Sequence, residues 1–288
     1  MSTIQWFPGH MNKARRQVQE NLKYVDVIFE LADARIPVSS RNPMLDKIIN
    51  QKPRLLLLNK IDLADPEKVK AWRDYFSTEG LKALEINSKE QQTVKKVVQA
   101  TQGLLKEKIE RDQARGIQPR ALRAMIIGIP NAGKSTLMNR ISGKKTAVVG
   151  NKPGVTKGQQ WIRLNADLEL LDTPGILWPK FDDELVGLKL AATGAIKDDL
   201  LHFDEVVIFV LDYFKKHYPT VLLNRFKLET TDLDDSSAEL IMKLSQKLGF
   251  KDDYDRFYQL FIKELRDGKL GRYTLDDVEQ MTNDNGND

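Results

Sequence analysis

A parallel α/β sheet followed by a smaller all-α region is the fold class predicted by three features of the sequence. Short runs of Val, Ile and Leu alternate with helix-like stretches as far as Gly175, which is the signature of parallel strands joined by crossover helices. Each run ends in polar residues, as buried parallel strands do. Beyond Pro179 the apolar spacing becomes helical almost throughout.

Composition narrows the class. The 288 residues are 41% hydrophobic, ordinary for a globular chain of one larger and one smaller unit. Lys and Arg number 45 against 41 Asp and Glu, a net charge of +4 that permits an RNA partner without demanding one. With no cysteine, disulfides and cysteine-ligated zinc are excluded, and three histidines argue against a dedicated transition-metal centre. An enzyme of the cytoplasm using Mg²⁺ fits better. The longest apolar stretches, 25–31, 55–58 and 206–211, fall far short of the roughly 20 residues of a membrane span, so no membrane association is expected.

The elements follow in order. The first twenty residues carry Lys13, Arg15 and Arg16 with no acid before Glu20, as a transit peptide does, but Pro8-Gly9 is expected to interrupt any helix there. Residues 25–31 and 54–59 read as buried strands and 82–86 as a weaker third, with a helix at 67–77 between the last two. Residues 93–111 read as one amphipathic helix, followed by a basic connector through Arg115, Arg120 and Arg123. A fourth strand, 124–129, runs straight into a glycine-containing turn and a helix, and 161–164 and 168–171 complete the sheet. Helices are predicted over 184–196, 205–217, 237–248 and 254–265, although 206–211 also has strand character. The boundary is placed near 178, giving units 1–178 and 179–288, with 283–288 as a frayed tail.

Gly128-Ile129-Pro130-Asn131-Ala132-Gly133-Lys134-Ser135 matches GxxxxGK[ST] between a predicted strand and helix, the context that marks a phosphate loop. Its backbone N–H groups can wrap phosphates, Lys134 can bridge the β and γ groups, Ser135 can ligate Mg²⁺, and Thr136 follows in the opening helix turn. Downstream, Asp172-Thr173-Pro174-Gly175 follows an apolar strand, where Asp172 can hold Mg²⁺ through water and the Gly175 N–H can meet the γ-phosphate. Thr156, in the intervening loop, is the candidate to close over Mg²⁺ and the γ-phosphate. Asn59-Lys60-Ile61-Asp62 ends the strongest strand as NKxD. The Asp62 carboxylate would accept from guanine N1–H and the 2-amino group, donors that adenine lacks. Asn59 would brace the loops and Lys60 would lie over the base. In Asn87-Ser88-Lys89, at the end of the next strand, Ser88 would sit nearest O6. Together these motifs predict a P-loop GTPase fold binding GTP and GDP, in circularly permuted order: NKxD and the base loop precede the phosphate loop.

This order, with Trp6-Phe7-Pro8-Gly9-His10-Met11 at the start and Asp33-Ala34-Arg35-Ile36-Pro37 after the first strand, resembles the RbgA/YlqF family of ribosome-biogenesis GTPases over nearly the whole chain. The resemblance implies late assembly of the large (50S) ribosomal subunit, GTP hydrolysis stimulated by its precursor, and a helical C-terminal domain that binds ribosomal RNA. Where Ras-like enzymes place the water-orienting Gln, this chain has Ile176. The resemblance implies His10, in a segment that reads as a loop, as the catalytic substitute. It also implies that Asn131 accompanies potassium-stimulated hydrolysis.

Lys243, Lys247, Lys251, Arg256, Lys263, Arg266, Lys269 and Arg272 suggest a basic C-terminal surface, but interleaved acids suit an ordinary solvated face equally well. Tyr254, Tyr258 and Tyr273 are base-stacking or core residues. Two functions stay open: a GTP-hydrolysing assembly factor, and a nucleotide-gated RNA-binding scaffold in which hydrolysis is incidental. A monomer is expected, since no heptad seam is visible.

Overall fold

The computed structural model describes residues 8–49, 52–143, 161–163, 168–171, 173, 183–279 and 281. The chain runs α1 (Pro8–Asn21), β1 (Val27–Asp33), α2 (Pro43–Ile49), β2 (Arg54–Asn59), α3 (Pro66–Thr78), β3 (Lys82–Glu85), α4 (Gln92–Leu104) and α5 (Lys106–Ala114). It continues through β4 (Leu122–Gly128), α6 (Lys134–Ser142), β5 (Trp161–Arg163) and β6 (Leu168–Leu171), then α7 (Glu184–Thr193), α8 (Phe203–His217), α9 (Pro219–Phe226), α10 (Ser237–Lys247) and α11 (Tyr254–Arg266).

The six strands form one sheet in the order β3-β2-β1-β4-β6-β5, parallel except for the antiparallel β5–β6 pair. Setting β4–β6 ahead of β1 restores the usual GTPase motif order without altering one strand pairing, so the permutation moves chain ends and leaves the sheet intact. Alternate residues of β1 explain the layering. Val27, Phe29 and Leu31 join Leu55, Leu57 and Ile126 in a core that continues through Val97 and Leu137 into the C-terminal helices. On the other face, Ile28, Met125 and Ile127 pack with Val18 of α1 and Leu45 and Ile49 of α2, while Leu56 and Leu58 pack under Trp72 and Phe76 of α3. Glu30, buried in β1, is answered by Arg41 at 3.0 Å and Arg54 at 3.0 Å.

Several elements depart from the sequence reading. Pro8 opens α1 instead of breaking it: at the first helical position the missing N–H costs no bond and the fixed φ suits the helix. His10 therefore stands in the first turn of a helix and not in a loop. The single helix expected over 93–111 is two, because the chain leaves helical geometry at Leu105 (φ −100°, ψ 12°), two residues after the poor helix former Gly103, and turns that leucine into the core. Residues 206–211 lie within α8, whose apolar side chains line its inner face. Helix α7 stops short of 196 because Gly194 takes a left-handed conformation (φ +83°) that a side chain would strain.

After α11 the chain returns across the α/β unit. The Tyr273 N–H donates to Leu63 O at 3.1 Å and the Leu275 N–H to Arg35 O at 2.7 Å. The buried Asp276 carboxylate accepts from the Val38 and Ser39 N–H groups, each at 2.9 Å, and pairs with Lys189 of α7 at 2.9 Å. Trp72 Nε1 donates to Asp276 O at 3.1 Å. This C-terminal segment thus ties the helical region to the loop after β1.

Candidate nucleotide site

The site lies where open parallel sheets bind ligands, outside the carboxyl ends of the strands. Asp33 is paired with Asn59 and Leu31 with Gly128, so the ends of β1, β2 and β4 stand side by side. NKxD, which follows β2, and the phosphate loop, which follows β4, are thereby brought together although roughly 70 residues separate them in sequence.

Asn59 joins three loops. Fully buried, its Nδ2 donates to Ala132 O of the phosphate loop at 2.7 Å, and its Oδ1 accepts from the Ser88 N–H at 2.9 Å. Gly133 fits against this amide because it has no side chain; a Cβ there would overlap Asn59 Nδ2, and φ at Gly133 is +100°. The loop from Gly128 through Pro130 then enters α6 at Lys134, with Ser135 and Thr136 in the helix's first turn. Lys134 is buried, and its Nζ donates to Gly128 O at 2.8 Å and Ile129 O at 2.7 Å, which holds the ammonium against the loop's own backbone. Asn131, at φ +58°, turns its Nδ2 to Gly194 O at 2.6 Å, at the end of α7. A phosphate loop beside a helix N-terminus can bind an anion through N–H groups and a lysine ammonium.

On the base side, Asp62 has two unlike oxygens. Oδ2 lies 3.2 Å from Lys89 Nζ, while Oδ1 is buried and has no hydrogen-bond partner among the described residues. A buried carboxylate oxygen without a donor is costly, and a ligand N–H would remove that cost. The loop at 87–89 is rigidly folded: Asn87 Oδ1 accepts from the Lys89 N–H at 3.0 Å, Asn87 Nδ2 donates to Glu90 at 3.1 Å, and Thr93 Oγ1 donates to Asn87 O at 2.6 Å. Arg140 of α6 donates to Lys89 O, so the phosphate-side helix also grips the base loop.

Thr173 is buried and its Oγ1 donates to Ile126 O of β4 at 2.6 Å. Asp172, Gly175 and Thr156 lie outside the described residues, as does the side chain of His10. The described residues hold no group of three His, Cys, Asp or Glu side chains able to bind a metal.

Sequence reasoning missed an ionic group beneath NKxD. Asp33, at the end of β1, is gripped by Arg35 through Nε at 2.9 Å and Nη2 at 2.7 Å, and Lys60 Nζ lies 2.9 Å from Asp33 Oδ2. Burial opposes the Asp33 charge, but Arg35 and then Lys60 outweigh it and hold its carboxyl well below the usual carboxylate range. Burial pushes the Lys60 ammonium down, Asp33 opposes that shift, and Arg35 reinforces it. The available signal was the run Asp33-Ala34-Arg35 directly after a strand.

The basic C-terminal residues are dispersed in role. Arg266 donates to Ala191 O at 2.8 Å and Ala192 O at 3.2 Å and pairs with Asp198, so it clamps α7. Lys243 pairs with Asp232, Lys247 donates to Lys227 O at 2.6 Å, and Arg272 donates to Asp62 O at 3.3 Å. Tyr273 is core. Lys251, Arg256, Lys263 and Lys269 remain on the exposed surface. Among the described residues, no helix is long and apolar enough to cross a membrane.

Comparison with known proteins gives one consistent family. Residues 123–247 match the 50S ribosome-binding GTPase family, a segment that begins just before the phosphate loop and excludes NKxD. The chain is similar to ribosome biogenesis GTPase A of Priestia megaterium, with 50% identity over 96% of this chain and 98% of that protein. It is also similar to ribosome biogenesis GTPase A of Thermotoga maritima, with 30% identity over 97% of this chain and 96% of the other. Among solved structures, GDP-bound YlqF superposes with a TM-score of 0.64 at 25% identity, covering 92% of this chain and all of that one. GNP-bound YlqF of T. maritima gives 0.61 at 26% identity, covering 92% and 97% of the two chains.

Proposed function

The chain belongs to the ribosome biogenesis GTPase A family of GTP-hydrolysing enzymes, and from that premise we propose that it acts on the precursor of the large ribosomal subunit, contacts ribosomal RNA there, and couples its GTP state to late maturation. The observation that carries the coupling is the 2.6 Å bond from Asn131 of the phosphate loop to Gly194 O. Among the described residues, helix α7, which ends there, is the first helical element that follows Asp172–Gly175 in the chain, so a change at the γ-phosphate has a mechanical outlet into the helical region.

In this reading residues 1–178 carry the nucleotide chemistry and 179–288 the RNA contact, made by Lys251, Arg256, Lys263 and Lys269, and the protein works in the bacterial cytoplasm as a monomer between encounters. Asp62 receives guanine N1–H and the 2-amino group, a role supported by its buried Oδ1, which has no partner among the described residues. Asn59 holds the loops, Ser88 sits nearest O6, and Asn87 and Lys89 keep that loop closed. The N–H groups from Asn131 to Thr136 and the Lys134 ammonium receive the phosphates, with Pro130 shaping the loop's backbone ahead of them. Ser135, Thr156 and Asp172 would hold Mg²⁺, which when bound offsets negative charge on the β and γ phosphates. The Gly175 N–H meets the γ-phosphate, His10 orients the water in place of the missing Gln, and Asn131 offers its amide oxygen to potassium.

The test is single-chain GTP hydrolysis in K⁺ and Na⁺ buffers, with and without purified large ribosomal subunits. A large acceleration by subunits, lost in His10→Ala while GTP still binds, is expected. GTP binding with no acceleration favours the gated-scaffold reading, which Ile176 supports, and equal turnover in the two salts removes potassium.

A further inference from the structure

Asp33 and Arg35 are buried at the carboxyl end of the sheet, next to the base motif, and no step described so far uses them. Lys60 enters the left-handed region (φ +65°), which is unusual for a residue with a side chain. Its side chain keeps 21% exposure, so water lies within reach of a four-methylene stem. Its ammonium nonetheless turns inward to Asp33 at 2.9 Å. A solvated lysine would avoid desolvation, and an ion pair this buried is weak as a device for stability alone. What the pair does fix is geometry.

Asp33 cannot follow Lys60 outward. Its backbone N–H donates to Ser40 Oγ at 2.9 Å, and Arg35 grips the carboxylate through two nitrogens. Arg35 is in turn fixed from the helical region, where its Nη1 donates to Tyr273 OH at 3.1 Å and its Nη2 to Thr193 O at 3.1 Å. The carboxylate is therefore a fixed post, and Lys60 is pinned at both ends: its backbone by Asn59 and the turn, its ammonium by Asp33. The stem between those anchors is held at both ends, in the turn that also carries Asp62.

We propose that Asp33, held by Arg35, is a positioning residue for guanine nucleotides: it stretches the Lys60 stem into a fixed apolar floor against which the purine ring rests. This rests on the reading of Asn59–Asp62 as the base site, and it assigns a function to the Asp33–Arg35 run at the end of β1. A floor of methylenes contacts the ring face and is indifferent to the 2-amino group, so it contributes affinity for guanosine and inosine triphosphates alike. Asp62 contributes the difference between them.

The experiment is a double-mutant cycle on the full chain, with GTP, inosine triphosphate and ATP titrated calorimetrically in Mg²⁺ buffer. Wild-type protein that binds ATP as tightly as GTP would end the base-site reading itself, whatever Asp33 does. With guanine preference intact, Asp33→Asn and Lys60→Met each weaken GTP and inosine triphosphate by about tenfold in parallel, the loss expected for one misplaced contact surface. The double variant binds within about twofold of Lys60→Met, since Asp33 has nothing left to position. An Asp33→Asn penalty of the same size in the Lys60→Met background would overturn the proposal and leave Asp33 a structural residue. So would wild-type affinity in folded Asp33→Asn. Should Asp33→Asn fail to fold by circular dichroism, Asp33→Glu, which keeps a charge for Arg35 but shifts the carboxylate by one methylene, takes its place in the cycle: equal affinities of Lys60→Met and the double variant carrying Asp33→Glu support the floor, and a further loss in that double variant refutes it.

Discussion

Replacing Asn59 by Ala tests whether the loops of the site are held by one side chain. The amide is fully buried and makes two bonds of good length, 2.7 Å to Ala132 O and 2.9 Å to the Ser88 N–H. Alanine removes both and leaves a buried carbonyl and a buried N–H without protein partners. Each such loss costs about 1–3 kcal/mol when the remaining group stays dry, and less where water enters the space. The sum is about 2–6 kcal/mol, several times the effect of a typical surface substitution. Urea unfolding followed by tryptophan fluorescence measures it, and the same samples report GTP binding. Because Ala132 belongs to the phosphate loop and Ser88 to the loop at 87–89, and Asn59 joins the two, GTP affinity should fall by roughly tenfold or more beyond the stability loss. A change below about 0.5 kcal/mol with wild-type GTP affinity would show that the loops are held by other contacts, and the bracing role of Asn59 would be lost.

Three further outcomes follow from the same geometry. Gly133→Ala places a Cβ on the Asn59 amide at a φ of +100°, so GTP binding should be abolished or nearly so, and titration within twofold of wild type would contradict the close approach. Asp276→Ala frees the Val38 and Ser39 N–H groups and strands the nearly buried Lys189; a loss of about 3–5 kcal/mol in urea unfolding is expected, and under 1 kcal/mol would mean that the C-terminal segment is not anchored there. His217 is held below its ordinary value by burial and by Lys68, with Asp277 offsetting part of this. The unfolded chain therefore takes up the proton more readily than the folded one, and stability contributed above about pH 6.5 is lost as the pH falls through the folded value. The stability difference between wild type and His217→Asn should shift against wild type between pH 7.5 and 5, and a pH-independent difference would refute it.

The layers of the fold were legible because their signals are local. Leu55 to Leu58 is an unbroken apolar run and Val27 to Leu31 one interrupted only by Glu30, and both faces of their strands are buried, as such runs require. The two halves of the site could be recognised separately, as GxxxxGKS at 128–135 and NKxD at 59–62. Their meeting through Asn59 depends on strand order, which no local spacing encodes. The same limit hid the contacts of Arg35. Its partner Asp33 is two residues away, but Tyr273 is 238 positions distant and Thr193 is 158. Pro8 was misread for a different reason: proline ends a helix from within and begins one from its first position, and only the tertiary seat of α1 on Ile28 and Met125 decides between the two. Arg266 was grouped with a basic surface by composition, while the carbonyls of the last turn of α7 recruited it inward.

The most direct test of the account is the nucleotide preference of Asp62→Asn. Xanthine carries a carbonyl where guanine has its 2-amino group, so an asparagine amide can donate where the Asp62 carboxylate would have accepted. Two charge-assisted bonds are at stake, worth about 3–6 kcal/mol together, and GTP affinity should fall by roughly 10² or more while xanthosine triphosphate binds better than it does to wild type. Unchanged GTP affinity with no gain for xanthosine triphosphate would contradict the placement of the base at Asp62, and with it the assembly of one guanine site from the two halves of the permuted chain.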